Sequence, residues 1–60
     1  MSIAADAIAA YLADNRDRLA ELDEDELYDL LDCHIYMPSG ADDLVKAGAI
    51  IVILLERNGV

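Results

Sequence analysis

The chain has 60 residues, 57% of them hydrophobic, and its thirteen acidic and four basic side chains give it a formal net charge of −9. A single domain of this length buries only about 60% of its unfolded surface, and one cysteine cannot form a disulfide framework, so packing or self-association must stabilise the fold. The charge argues against direct binding to nucleic acid or to an anionic membrane, and the hydrophobic content argues against a disordered acidic tail.

Three sequence features bear on the compartment. Residues 1–14 contain no Lys or Arg, which the start of a secretory signal peptide would carry. The longest apolar run, residues 47–55, is much shorter than the roughly 20 residues of a membrane span. A lone thiol is typical of a reducing compartment, so we expect a cytosolic protein.

The first predicted element is a helix over residues 2–22, which Ser2 can cap. At 100° per residue, the apolar side chains fall on one arc and the acidic ones on the opposite arc. The apolar arc holds Ala4, Ile8, Tyr11, Leu12, Leu19 and Leu22, and the acidic arc holds Asp6, Asp14, Asp17 and Glu21. Only Asn15 interrupts the apolar arc, which predicts either a kink or a boundary between two helices there.

The second predicted helix begins after Asp23, a good N-cap, with Glu26 placed three residues later for a capping box. Leu22 and Leu27 can form the hydrophobic staple around this cap. The inner face is predicted to hold Leu27, Leu30, Leu31 and His34, and the outer face Asp25, Asp29 and Asp32. The helix must end before Pro38, because proline disfavours helical geometry in the preceding residue.

The third predicted helix covers residues 41–57, with Ser39 or Asp42 as the cap and Asn58-Gly59 as the C-terminal stop. Its inner face is predicted to consist of Leu44, Ala47, Ile51, Leu54 and Leu55. Ile50 and Ile53 would then lie outside this face, as an apolar surface for self-association into a homodimer.

An alternative for the same segment is a strand over residues 49–55, because the run of Ile and Val is strongly β-prone. That alternative gives an α+β fold. A helix is preferred because the cap signals are one helix length apart, and because a strand that is apolar on both faces needs two covering layers. The predicted fold is a compact all-α domain in which the third helix packs against the other two.

Acidic residues are concentrated between residues 14 and 32, which hold nine of the thirteen acids and only two bases. Six of these acids form two outward rows, here named the acid rows: Asp14, Asp17 and Glu21 on the first helix, and Asp25, Asp29 and Asp32 on the second. Carboxylates three or four positions apart on a helix are about 5–6 Å apart, a spacing similar to that of phosphates along nucleic acid. Tyr28 flanks the second row, and tyrosine is enriched at binding hot spots.

Two ordinary explanations compete with a binding role for the acid rows. Charged runs are usually solvated surface. In addition, Asp outnumbers Glu nine to four and Lys46 is the only lysine, a skew that resembles proteins of salt-loving organisms, in which acidic surface maintains solubility.

Sites for chemistry find little support in the sequence. The acids that follow residue 22 do not match an EF-hand calcium loop. Leu27 and Tyr28 occupy positions at which such a loop needs an oxygen ligand and a glycine. Cys33 and His34 are adjacent, so on a helix they point about 100° apart, and adjacent helical residues seldom form a nucleophile–base pair. His34 is expected to be packed or half-buried and Cys33 to be a small inert filler. We expect no enzyme, metal site or cofactor, and no Ser-His-Asp set.

The acid rows, with the acidic stretch of residues 23–32, resemble the charge pattern of small acidic phage-encoded inhibitors, including anti-CRISPR and other DNA-mimic proteins. The resemblance covers about a third of the chain, and the class shares no motif, so no residue roles carry over. It implies stoichiometric binding to a basic, nucleic-acid-binding surface of another protein, without a cofactor. The alternative is a structural or assembly protein that self-associates through Ile50 and Ile53 and uses its acids for solubility.

Overall fold

The computed structural model describes residues 2–59 and contains three helices, α1 (Ile3–Ala20), α2 (Glu24–Ile35) and α3 (Ala41–Arg57). No strand occurs in the described part of the chain, so the all-α prediction is confirmed. Residues 49–55 lie inside α3, and the strand alternative for them is wrong.

α1 begins as predicted, because the Ser2 hydroxyl accepts a hydrogen bond from the Ala5 N–H at 3.0 Å. The helix continues through Asn15 without a boundary. The Asn15 side-chain amide donates to the Tyr11 carbonyl at 2.9 Å, which satisfies this polar group on the helix's own backbone. A helix boundary at Asn15 is therefore a wrong prediction.

α2 is fixed at its start by the predicted capping box. The Glu26 N–H donates to the Asp23 carboxylate at 2.8 Å, and the Asp23 N–H donates to the Glu26 carboxylate at 3.1 Å. These two bonds satisfy backbone donors that the first turn leaves without partners. The helix ends at Ile35, before Pro38, as expected.

α3 covers residues 41–57, as predicted, but its N-cap differs from the predicted one. Gly40 is the N-cap, with extended backbone and no side-chain cap, so neither Ser39 nor Asp42 fills that role. Instead, the Asp43 carboxylate reaches back to the residue before the cap and accepts from the Ser39 N–H at 2.8 Å. At the other end Gly59 adopts φ 74°, the left-handed conformation that ends many helices, and the predicted stop is confirmed.

α3 is the central helix, since both α1 and α2 pack against it while touching each other much less. The buried core is contributed by all three helices: Leu12, Leu19, Leu27, Ala47, Ala49, Ile50, Ile53 and Leu54. At Gly48, α1 comes so close that an added Cβ would lie 2.6 Å from the Ile8 Cδ1 atom. The predicted packing of the third helix against the other two is confirmed.

The buried face of α3 is rotated from the predicted one. Ile50 and Ile53 are only 1% and 4% exposed, so the prediction that they lie outside the core is wrong. Three residues assigned to the inner face are exposed instead: Leu44, Ile51 and Leu55. The reason is that two helices pack on α3, so its buried arc is wide, and the apolar run of residues 49–55 has no polar side to fix the orientation.

Candidate functional site: the acid rows

The first acid row lies on the solvent side of α1 and its C-cap. Asp14, Asp17 and Glu21 are all exposed. Their spacing of three and four residues places them on one helical face, away from the buried Leu12 and Leu19. The local helical pattern therefore positions this row where the sequence predicts.

The second acid row lies on α2, where Asp25, Asp29 and Asp32 are all exposed. Leu27, which has no exposed surface, anchors the opposite side of the helix in the core. Tyr28 is 49% exposed, so its ring is available beside the second row. The capping box at the start of α2 fixes the helical register that presents these side chains.

The three arginine side chains are engaged away from the acid rows. Arg16 forms an ion pair with Glu56 at 2.7 Å, which joins α1 to α3 and lowers the pKa of Glu56. Arg57 donates to the Ala20 carbonyl at 3.0 Å, and Arg18 donates to the Asn15 and Tyr11 side chains.

Within residues 2–59, no carboxylate of either acid row accepts a hydrogen bond from a side chain or forms an ion pair with one. The rows therefore present their full charge to solvent.

A cluster that the sequence did not predict joins the end of α2 to the start of α3. Asp43 accepts from the Ser39 hydroxyl at 2.6 Å with one oxygen, and its other oxygen lies 3.0 Å from the His34 Nδ1 atom. The pKa of Asp43 is held well below its usual range by these hydrogen bonds. The Ser39 hydroxyl has the largest effect, followed by the Ser39 N–H and then by His34. The His34 side chain is 18% exposed, so the half-buried position expected for it is confirmed.

This cluster contains Ser, His and Asp, which the sequence was not expected to bring together. Its order differs from that of a nucleophilic triad, because Asp43 is the central member and the serine hydroxyl donates to the carboxylate. A nucleophilic serine needs a hydrogen bond to its base, and Ser39 makes none to the imidazole. The arrangement instead links the turn to α3.

Cys33 is exposed, so the prediction that it is a packed filler is wrong. It borders a shallow depression beside α2 that is also lined by Leu22, Glu26, Asp29 and Leu30. In the part of the chain that the structure describes, no three His, Cys, Asp or Glu side chains are placed to hold a metal ion together.

No family model, curated protein or solved structure matches the chain. Among residues 2–59, no helix combines the length and apolar character needed to cross a membrane.

Proposed function

We propose that the chain is a small, non-enzymatic binding protein whose acid rows occupy a basic, nucleic-acid-binding surface of another protein. The observation that carries the proposal is that all six carboxylates of the rows are exposed and none is neutralised within residues 2–59. Such a surface can take the place of a phosphate backbone in a basic groove, which is how DNA-mimic inhibitors such as certain anti-CRISPR proteins act.

The energetic cost of the rows supports a binding role. Like charges three or four residues apart on a helix destabilise it by about 0.2–0.5 kcal/mol per pair, so four such pairs cost roughly 1–2 kcal/mol. A domain of 60 residues has little stability to lose. A basic partner would convert this repulsion into attraction, whereas solubility alone would not require the acids to be aligned in rows.

The expected mode of binding follows from exposed charge. Long-range attraction should raise the association rate, and added salt should weaken binding steeply. Tyr28 would add a rigid contact surface beside Asp25 and Asp29, in the manner of aromatic interface residues. Inhibition would be stoichiometric, with one chain blocking one site.

A matched pair of charge variants tests the proposal. The row variant changes Asp25, Asp29 and Asp32 to Asn. The control removes three acids that also lack side-chain partners but lie outside the rows, by the changes Asp6→Asn, Glu24→Gln and Asp42→Asn. All three acids occupy first helical turns, where negative charge interacts favourably with the helix dipole, whereas Asp25 is the one row-variant residue that does so. The control should therefore lose at least as much stability as the row variant.

The readout is capture of partner proteins from a lysate at low salt, with circular dichroism to establish that both variants are folded. The row variant should lose the basic, nucleic-acid-binding partners that the parent chain captures, and the control should retain them. Equal capture by the row variant and the parent would refute the proposal.

A second candidate function is assembly through an apolar surface, and the exposed residues of α3 favour it. Leu44, Ile51 and Leu55 lie on one side of the helix and are 56%, 43% and 45% exposed. They replace Ile50 and Ile53 as the surface for self-association. For this candidate, the changes Ile51→Glu and Leu55→Glu should abolish a homodimer seen by light scattering, while the row variant should still dimerise. Ile50→Glu cannot serve here, because a buried charge would unfold the chain.

A further inference from the structure

One cleft has a charge opposite to that of the molecule as a whole. It has a volume of about 380 Å³ and lies where residues of α1, α2 and α3 meet. Its polar lining consists of Tyr11, Arg18, His34 and Lys46. Among residues 2–59 no carboxylate lines it, although the chain has thirteen acids, and two of the four basic side chains do. A negatively charged group would be attracted to this place and repelled by most of the remaining surface.

Three of the four polar side chains of the cleft make hydrogen bonds to neighbouring side chains. The Arg18 guanidinium donates to the Asn15 side-chain oxygen and, at 3.4 Å, to the Tyr11 hydroxyl. His34 is oriented through its Nδ1 atom by Asp43, at 3.0 Å. Lys46 is half-buried, and its ammonium group has no hydrogen-bond or ion-pair partner within residues 2–59. Within residues 2–59 neither cation forms an ion pair with a carboxylate, although Asp42 and Asp43 line a separate depression together with Lys46.

The rest of the cleft is apolar. Leu19, which is 2% exposed, belongs to the core, and the half-buried Leu22 and Leu30 pack against that core. Small-molecule sites commonly combine an apolar lining with a few polar groups that fix the orientation of the ligand. Here the charged side chains of the lining, Arg18 and Lys46, are both cations.

We propose that this cleft binds a small organic anion, a monocarboxylate with an aliphatic tail. Arg18 and Lys46 would bind the carboxylate, with the Tyr11 hydroxyl as a further donor, and the tail would pack on Leu19, Leu22 and Leu30. The fork of the arginine suits a carboxylate, and hydrogen bonds between charged partners are stronger than neutral ones. This site is separate from the acid rows, and its existence does not depend on the function proposed for them.

The test uses the intact ¹⁵N-labelled chain at ordinary ionic strength and three probes that share one tail: octanoate, octanol and octyltrimethylammonium. Amide shifts are followed during each titration. Octanoate should shift amides around residues 18–22, 30–34 and 46, and should bind about tenfold more tightly than octanol. Octyltrimethylammonium should bind no better than octanol at these amides.

A pair of variants ties the selectivity to the cleft cations. The combined changes Arg18→Gln and Lys46→Gln should remove the preference for octanoate over octanol. Arg57→Gln should leave it unchanged, because Arg57 is a cation outside this cleft. If the double variant fails to fold, Lys46→Met alone retains most of the side-chain stem and should still lower octanoate affinity severalfold.

Three results would overturn the proposal. One is equal affinity for the three probes, which would indicate tail binding alone. A second is unchanged octanoate affinity in a folded Lys46→Met or double variant. The third is a shift pattern centred on Leu44, Ile51 and Leu55, which would place the apolar probe on the exposed side of α3.

Discussion

The Asp43 side chain makes contacts on both sides of the turn between α2 and α3. It accepts hydrogen bonds from the Ser39 hydroxyl and backbone N–H and contacts His34, so it links the end of α2, the turn and the start of α3. These partners favour the ionised carboxylate, and the pKa of Asp43 lies below its ordinary value of 3.8. The unfolded chain therefore binds a proton at Asp43 more readily than the folded chain does.

The change Asp43→Asn should destabilise the protein at neutral pH, and the loss should shrink in acid. Because the folded pKa is depressed, the stabilisation from Asp43 is fully present above 3.8 and is lost as the pH falls toward the folded value. Urea midpoints of the parent and variant, compared from neutral pH down to about pH 2, measure this. Asp42→Asn is the matched control, since Asp42 has the same charge and no side-chain partner among the residues that the structure describes. A difference between parent and Asp43→Asn that does not change with pH would contradict the assignment.

The rotation of α3 can be measured with two neighbouring isoleucines. Ile50 is 1% exposed and Ile51 is 43% exposed. Ile50→Ala should cost about 2–5 kcal/mol, enough to unfold much of a marginal domain, whereas Ile51→Ala should cost less than about 1 kcal/mol. Urea or thermal unfolding of the two variants gives the comparison. The reverse order would restore the inner face that the sequence predicts.

For the helices, features that depend on one or two turns were predicted correctly, whereas the orientation of α3 relative to α1 and α2 was not. The start of α2 follows from Asp23 and Glu26, because a capping box involves only residues within one turn. The acid rows are outward for a similarly local reason, since amphipathic spacing on α1 and α2 leaves one polar side. α3 is apolar on several sides, so its buried face depends on where α1 and α2 pack, and no pattern within residues 41–57 contains that information.

Two features that could not be predicted from the sequence depend on contacts between helices. The link from His34 to Asp43 joins two helices across a turn, and the cationic cleft needs Arg18 from α1 and Lys46 from α3. The N-cap of α3 was also predicted wrongly, although the start of the helix was not, because Ser39 and Asp42 are both acceptable caps by type. Only the path of the turn decides that Gly40 takes the position and that Asp43 reaches back.

The close contact between α1 and α3 at Gly48 predicts a coupling between two residues. Alanine favours a helix interior over glycine by about 1 kcal/mol, but its Cβ at residue 48 would lie 2.6 Å from the Ile8 Cδ1 atom. Gly48→Ala should therefore gain little in the parent and about 0.5–1 kcal/mol in an Ile8→Ala background, which lacks both that atom and the Cγ1 atom at 3.1 Å. A double-mutant cycle on unfolding free energies measures the coupling. Equal effects of Gly48→Ala in both backgrounds would show that the helices are not in contact there.

For the molecule as a whole, the net charge of −9 should make stability depend on salt. Ions screen exposed charges over about 8–10 Å at ordinary ionic strength, so added salt relieves the repulsion within the acid rows. The melting temperature should rise from low to molar NaCl, and should rise less in the Asp25, Asp29 and Asp32 row variant. A chain that is unfolded until molar salt is reached would instead favour adaptation to a saline cell as the reason for the acids. A melting temperature independent of salt would contradict both explanations.

The acid rows are proposed to occupy a site that otherwise holds nucleic acid, and competition for a captured partner tests this. The partner retained by the immobilised chain at low salt is exposed to short duplex DNA, to single-stranded RNA or to polyglutamate at equal charge concentration. The proposed function predicts that at least one nucleic acid releases the partner at concentrations where polyglutamate does not, and that the immobilised row variant captures none. A partner that stays bound in excess of both nucleic acids, or that polyglutamate releases equally well, would contradict it.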